Sequence, residues 1–235
     1  SHELRTPLNA VIGFSEMMHG EVFGPLGHKK YKDYNLDIFN SATHLLSIIQ
    51  DILDLSKIES SRYEIAPERT DARDVVQWVA TLCANQPRTA HRGAPELDIP
   101  QDFGLVMADP RAFKQILLNL VNNAYKFTPE SGRIGIRGSI LEGGEPAITV
   151  WDTGIGIPAD KIEDVRKPFH QVEGAFQRKF QGTGLGLSIS EALVKLHGGR
   201  LLLESELGAG TQVTIVFPSS AYIPNGQTAS RDAAE

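Results

Sequence analysis

The sequence predicts an α-helical hairpin followed by an α/β sandwich with a mixed sheet, and three observations point to it. Two segments, 4–18 and 38–56, carry apolar or small residues at alternating spacings of four and three, the pattern of a helical seam. A Gly- and Pro-bearing stretch, "GEVFGPLGHKK", lies between them and reverses the chain. Beyond residue 62 the pattern changes to capped amphipathic helices interleaved with paired strand-like runs, the alternation of an α/β layer fold. A chain of 235 residues has room for one ordinary domain and a smaller one. The expected division is 1–62 for the hairpin, 63–218 for the sandwich, and 219–235 for a small polar tail expected to be disordered.

In the first helix the seam is Leu4, Leu8, Val11, Ser15 and Met18. In the second it is Ile38, Ala42, Leu45, Ile49, Ile52 and Ser56, with Leu46 and Leu53 widening the stripe. Two helices with stripes this wide have more apolar surface than one partner covers, and isolated helices of this length are marginal in water. A second copy would complete a four-helix bundle, so the sequence predicts a homodimer.

The second unit opens with Thr70 or Asp71 capping a helix through about residue 86, followed by a Pro- and Gly-rich connection with room for one short strand. In "ADPRAFKQILLNLVNNAYKFTP", Asp109 caps, Pro110 takes the first helical position and Pro129 ends the helix. Phe113, Ile116, Leu117, Leu120 and Ala124 form its buried stripe. Strands are expected near 133–139 and 147–152 around the turn "EGGEP", then a glycine-bearing stretch, a helix over 185–197, and the strands "RLLLESE" and "TQVTIVFP".

Composition narrows the function. A net charge of −6 without a basic stripe argues against nucleic-acid binding. No apolar run reaches the eighteen or so residues of a membrane span, so no membrane contact is expected within this stretch. The single cysteine, Cys83, falls among Val79 and Leu82 as a buried thiol would in a reducing compartment. The chain starts without Met inside a helix and reads as an excised cytoplasmic portion of a longer parent.

At roughly 100° per residue, His2, Thr6 and Asn9 lie opposite the seam, on the solvent face. An ordinary surface histidine competes with a reactive one on that geometry, but Pro7 should bend the helix beside an exposed His-Glu pair, which favours function. Asn119, Asn123 and Lys126 follow at i, i+4 and i+7 along the border of an apolar stripe. Two carboxamides and an ammonium on one ridge suit a hydrated cation and a phosphate chain, or simply a solvated border. Asp152 ends a strand ahead of Gly154 and Gly156 in "DTGIGIP", and as an acceptor it suits an amino group better than a phosphate. "GTGLGLS" places Gly182, Gly184 and Gly186 just before a helix, where free N–H groups attract anions. Neither the Gly-x-Gly-x-x-Gly dinucleotide fingerprint nor a Gly-Lys-Ser/Thr phosphate loop is present.

In order, "SHELRTPLN", "NLVNNAYKFTP", "DTGIGIP", "KPFHQVEG" and "GTGLGLS" resemble the catalytic core of a bacterial sensor histidine kinase, over nearly the whole of 1–218. "GEVFGPLG" is similar to an insertion common in alphaproteobacterial members. The resemblance implies ATP-dependent autophosphorylation, with His2 as phosphoryl acceptor, Glu3 as its partner and general base, and Thr6 orienting water for dephosphorylation of a response regulator. It also implies a receiver domain as partner, and ATP and Mg2+ as cofactors. Asn119 and Asn123 match the magnesium-linked positions, Lys126 a phosphate contact, and Asp152 the adenine-reading carboxylate with Gly154 and Gly156 around it. Phe169 matches the aromatic of the lid, Arg178, Gly182, Thr183, Gly184, Leu185 and Gly186 the nucleotide-closing loop, and Thr211 a hydroxyl that supports the adenine site. Lys167 departs from the family, which usually carries an acidic residue before Pro-Phe. A scaffold that has kept the fold without the activity, and a chaperone- or topoisomerase-type ATPase, are the competing readings.

Overall fold

The computed structural model describes residues 2–86, 89–170 and 183–225. The chain divides into two compact units, Ser1–Arg62 and Tyr63–Glu235.

The first unit is a hairpin of α1 (His2–His19) and α2 (Lys29–Glu59). α1 runs through Pro7 as one helix. Its last carbonyls are taken up as Glu16 O accepts from Gly20 N and Met17 O from Val22 N. α2 starts on a cap that sequence reading missed, His28, whose Nδ1 accepts from Lys30 N at 3.2 Å. The expected seam separates into two halves. Ser15, Asn35 and Ala42 are buried within the hairpin, and Asn35 Nδ2 donates to the Ser15 carbonyl at 2.6 Å, pinning the register of the helices. Val11, Met18, Ile38, Leu45 and Ile52 stay 41–49% exposed, an apolar stripe that the single chain leaves uncovered.

The second unit holds two sheets. The larger has the order β2-β4-β5-β7-β6, from Glu96–Asp98, Ile134–Ile140, Pro146–Asp152, Gly210–Val216 and Arg200–Glu206. β2 pairs parallel to β4 and the remaining pairs are antiparallel, so the sheet is mixed. α3 (Ala72–Ala84), α4 (Pro110–Phe127) and α6 (Gly186–Leu196) supply the helices, with a short α5 (Ile162–Val165) ahead of α6. α4 packs against α3, α6, β4 and β5, while α6 covers β6. Phe113, Ile116, Leu117, Ile136, Ile148, Leu185, Ile189, Leu193 and Phe217 are fully enclosed between them. Cys83 is buried as expected, and burial pushes its thiol up to about 11.

The smaller sheet, β1-β3-β8 (Glu68–Asp71, Leu105–Ala108, Tyr222–Ile223), differs from the sequence expectation. The start of the segment expected to be disordered instead forms a turn at Ser219–Ala221 and pairs Tyr222 with Val106 and Ile223 with Leu105. Val106 is fully buried and Ala221 nearly so, which is the apolar gain that orders this stretch. Residues 226–235 lie outside the described residues.

Candidate active site

α4 is held at both ends. At its start the Asp109 carboxylate accepts from Arg111 N at 2.9 Å, Ala112 N at 3.3 Å and Ala66 N at 3.0 Å, and from the Arg111 guanidinium at 3.0 Å. Burial pushes this carboxyl up, but the Arg111 guanidinium and the three backbone N–H groups outweigh it and hold Asp109 well below the usual carboxylate range. Asp109 N in turn donates to His197 Nε2 at 3.0 Å, while His197 Nδ1 lies 2.7 Å from the Leu193 carbonyl. Because the accepting nitrogen is Nε2, the proton sits on Nδ1, and a buried neutral histidine ties the end of α6 to the start of α4. At the far end Arg92 donates to the carbonyls of Tyr125, Thr128 and Pro129 at 2.9, 2.9 and 3.0 Å. Neither Arg92 nor His197 is singled out by sequence pattern, since both act on residues remote in the chain.

The ridge of α4 therefore has a fixed place. Asn119 Nδ2 donates to Gly186 O at 3.2 Å and Ser190 Oγ at 3.4 Å, which brings α4 to the first turn of α6. Asn123 lies one turn further on and is half-buried. Lys126 is half-buried with its ammonium 4.7 Å from the centre of the Phe127 ring, and burial lowers its pKa.

Asp152 closes β5 beside the end of α4. Gly154 N donates to its Oδ1 at 2.7 Å, and Thr211 lies directly opposite Asp152 in the sheet register. Burial nevertheless dominates and raises the Asp152 pKa, the direction expected of a carboxylate enclosed without a cation. Ile155 N donates to Phe127 O at 3.1 Å and Gly208 N to Ile155 O at 2.8 Å, so the loop after Asp152 is tied both to α4 and to the β6–β7 turn. Gly156 has φ +65°, and a Cβ there would run into the Glu206 carbonyl; only glycine meets both demands.

The loop before α6 closes this group. Phe169 N donates to Gly184 O at 3.1 Å, and Phe169, with φ +64°, is 60% exposed. Gly184 has φ +70° and lies against the Phe169 backbone. Leu185 N donates to Thr183 Oγ1 at 3.1 Å, and Leu185 is buried. The Lys167 side chain pairs with Asp164 at 2.8 Å, while Arg166 makes two bonds to Glu191 at 2.9 and 3.1 Å, fastening the segment before Phe169 to α6.

The structure thus sets Asp152, Gly154 and Gly156 in the loop tied to the end of α4, with Thr211 opposite Asp152, runs Asn119, Asn123 and Lys126 along α4 with Asn119 against the start of α6, and places Phe169, Thr183, Gly184, Leu185 and Gly186 around that start. Arg178 and Gly182 lie outside the described residues. His2 and Glu3 stand in the first turn of α1, in the other unit, and Thr6 is exposed one turn on. Thr128, the C-cap of α4, whose hydroxyl donates to the Ala124 carbonyl at 2.6 Å, carries no signal in the sequence.

A half-buried acceptor carboxylate, glycine-bearing loops, a carboxamide ridge and the start of a helix thus lie together in one α/β unit. Comparison with known proteins gives the class. Residues 108–221 match the histidine kinase-, DNA gyrase B- and HSP90-like ATPase family. Residues 1–61 match the His Kinase A phospho-acceptor domain. Histidine protein kinase DivJ of Caulobacter vibrioides is 46% identical over 93% of this chain and 36% of its own length. The cell-division control histidine kinase PdhS of Brucella abortus is 38% identical over 95% of this chain and 22% of its own. A sensor-like histidine kinase of Rhizobium meliloti is 42% identical over 94% of this chain and 42% of its own. Among solved structures, full-length ShkA in complex with AMPPNP superposes with TM-score 0.74 at 30% identity, over 92% of this chain and 44% of that one. The chain belongs to the sensor histidine kinases and carries their catalytic core, spanning less than half the length of these relatives.

Proposed function

We propose that this core takes the terminal phosphoryl group of ATP onto His2 and passes it to an aspartate on a response-regulator receiver domain. The observation that carries the reading is that α4 links two features, the Asp152 loop tied to its end through Ile155 N and Phe127 O and the Asn119–Asn123–Lys126 ridge fastened by Asn119 to the start of α6, in a chain that also matches a phospho-acceptor domain.

Asp152 and Gly154 take the adenine end of the nucleotide, and Lys126 with the N–H groups of the first turn of α6 takes the phosphate end. The donor set fits ATP: the acceptor carboxylate suits an amino group, and the half-buried Lys126 ammonium, whose pKa burial lowers, suits a phosphate. It also fits Mg2+, since Asn119, whose amide nitrogen is engaged with α6, keeps an oxygen for a hard cation, and Asn123 follows one turn on. Among the described residues no three His, Cys, Asp or Glu side chains gather as metal ligands, and an ion held by carboxamide and phosphate oxygens needs none. Magnesium, when bound, neutralises charge on the phosphates.

A neutral imidazole nitrogen of His2 forms the new N–P bond while the bond from phosphorus to the bridging oxygen of ADP breaks. Glu3 accepts the imidazole proton and fixes the tautomer, which outweighs its tendency to favour the protonated ring. Thr6, one turn along on the same exposed face, orients water for hydrolysis of the phospho-aspartate. A second copy covers the exposed stripe of Val11, Met18, Ile38, Leu45 and Ile52 and makes the four-helix bundle on which the receiver docks. Among the described residues no helix is long and apolar enough to cross a membrane.

Equilibrium binding of ATP with and without Mg2+ tests the nucleotide half. Asp152→Asn is expected to weaken ATP at least about tenfold, the worth of a hydrogen bond to a charged group. Asn123→Ala is expected to abolish most of the magnesium dependence. ATP binding unchanged by both substitutions would contradict the assignment.

A further inference from the structure

Asp152, Thr211 and Ser205 form one row across three neighbouring strands. In the register of the larger sheet Asp152 on β5 lies opposite Thr211 on β7, and Thr211 lies opposite Ser205 on β6. Directly opposed residues share a face, so the three side chains stand in line. The Thr211 and Ser205 hydroxyl oxygens are 2.9 Å apart.

The hydrogen bonds at Ser205 leave one arrangement of protons. Ser205 Oγ is 2.8 Å from the Gly210 carbonyl, which can only accept, so the single Ser205 proton goes there. Ile157 N donates to Ser205 Oγ at 2.8 Å and fills one of its two lone pairs. The other accepts from Thr211, whose proton is thereby committed. Ser205 is then fully used, with one bond donated and two accepted. Two consequences follow. The loop from Asp152 to Pro158 is anchored at its far end, through Ile157 N, to the β6 side of the sheet. The Thr211 hydroxyl presents only lone pairs to anything else beside Asp152, so the row offers a bound base acceptors, the complement of an exocyclic amino group.

We propose that Ser205 is a positioning residue of the nucleotide site, setting the Asp152–Pro158 loop and the polarity of the Thr211 hydroxyl without touching the nucleotide. The proposal rests on the ATP reading above.

Its test compares the unaltered chain with Ser205→Ala and Ser205→Thr by ATP affinity, by autophosphorylation rate at saturating ATP, and by hydrogen exchange at the Ile157 amide. Ser205→Ala should weaken ATP about tenfold, as expected for one lost positioning hydrogen bond and an unpaired N–H. It should leave the saturated rate within about twofold, since its loss acts on binding alone, and should release Ile157 to fast exchange. Ser205→Thr, which keeps the hydroxyl, should restore both affinity and protection. Equal affinity in Ser205→Ala and the unaltered chain overturns the proposal, as does a fall in saturated rate without a change in affinity. If the unaltered chain binds no ATP, the nucleotide reading fails and the positioning role falls with it. The Ile157 exchange then still reports separately whether the anchor exists.

Discussion

Replacing Asp109 with Ala removes the cap that sets the start of α4 and hence the height of Asn119, Asn123 and Lys126. The side chain is 2% exposed and serves three backbone N–H groups, those of Arg111, Ala112 and Ala66. Losing an N-cap costs about 1 kcal/mol. Leaving the Ala66 N–H without its partner adds about 1 to 2 kcal/mol. The Arg111 guanidinium, 80% exposed, returns to water and adds little. The sum, about 2 to 3 kcal/mol, corresponds to a fall in Tm of roughly 4 to 12 °C for a unit of this size. Urea unfolding followed by tryptophan fluorescence measures it, because Trp78 and Trp151 both lie in this unit. The pH dependence has a fixed sign. The folded-state pKa is depressed, so the stabilisation is complete above the unfolded-state value of about 4 and is lost as pH falls below it. The gap between the two proteins is therefore wide at pH 7 and closes on the way to pH 2. A difference under about 0.5 kcal/mol at pH 7, where a cap alone should give about 1, or a gap that does not narrow in acid, would refute the reasoning.

Other substitutions probe the remaining parts. Leu45→Glu places a charge in the middle of the exposed stripe and is expected to convert a dimer to monomers in sedimentation equilibrium, while the second unit keeps its unfolding midpoint. Gly156→Ala meets a positive φ and the Glu206 backbone together; a loss of more than about 2 kcal/mol is expected in urea unfolding, with ATP affinity falling alongside. Thr6→Ala should slow dephosphorylation of a phosphorylated receiver domain at least about tenfold, as for loss of one group positioning a reactant, and leave autophosphorylation unchanged; equal dephosphorylation rates would remove Thr6 from the mechanism.

Where the sequence was legible, each element carried its own local signal. α4 shows a cap, a first-turn proline, a stripe and a terminator within its own length, and its observed span starts at the expected Pro110. β6 matches "RLLLESE" residue for residue. The smaller sheet had no such signal, because its strands run for four, four and two residues and are held by pairing partners far away in the chain. The same reason kept Tyr222 and Ile223 in an expected tail: two residues have no periodicity, and only β3 shows what they pair with. At the site, the glycines, asparagines and Asp152 were legible by type and spacing. Thr128, Ser205, Arg92 and His197 were not, since each acts through register or through carbonyls that the sequence does not display. The seam shows the subtler limit. Its heptad residues form one stripe in the sequence, yet Ala42 is buried while Leu45, one turn on, is half exposed. Spacing gives the stripe but not its division between two partners.

Autophosphorylation is the most direct test of the central claim that His2 is the phosphoryl acceptor of an ATP-dependent kinase. The chain, carrying a short helix-forming extension ahead of Ser1, is incubated with Mg2+ and terminally labelled ATP beside its His2→Gln variant. Acid-labile, base-stable label on the unaltered chain and none on the variant is the expected result. Equal label on both proteins, or none on either despite tight ATP binding, would contradict the account.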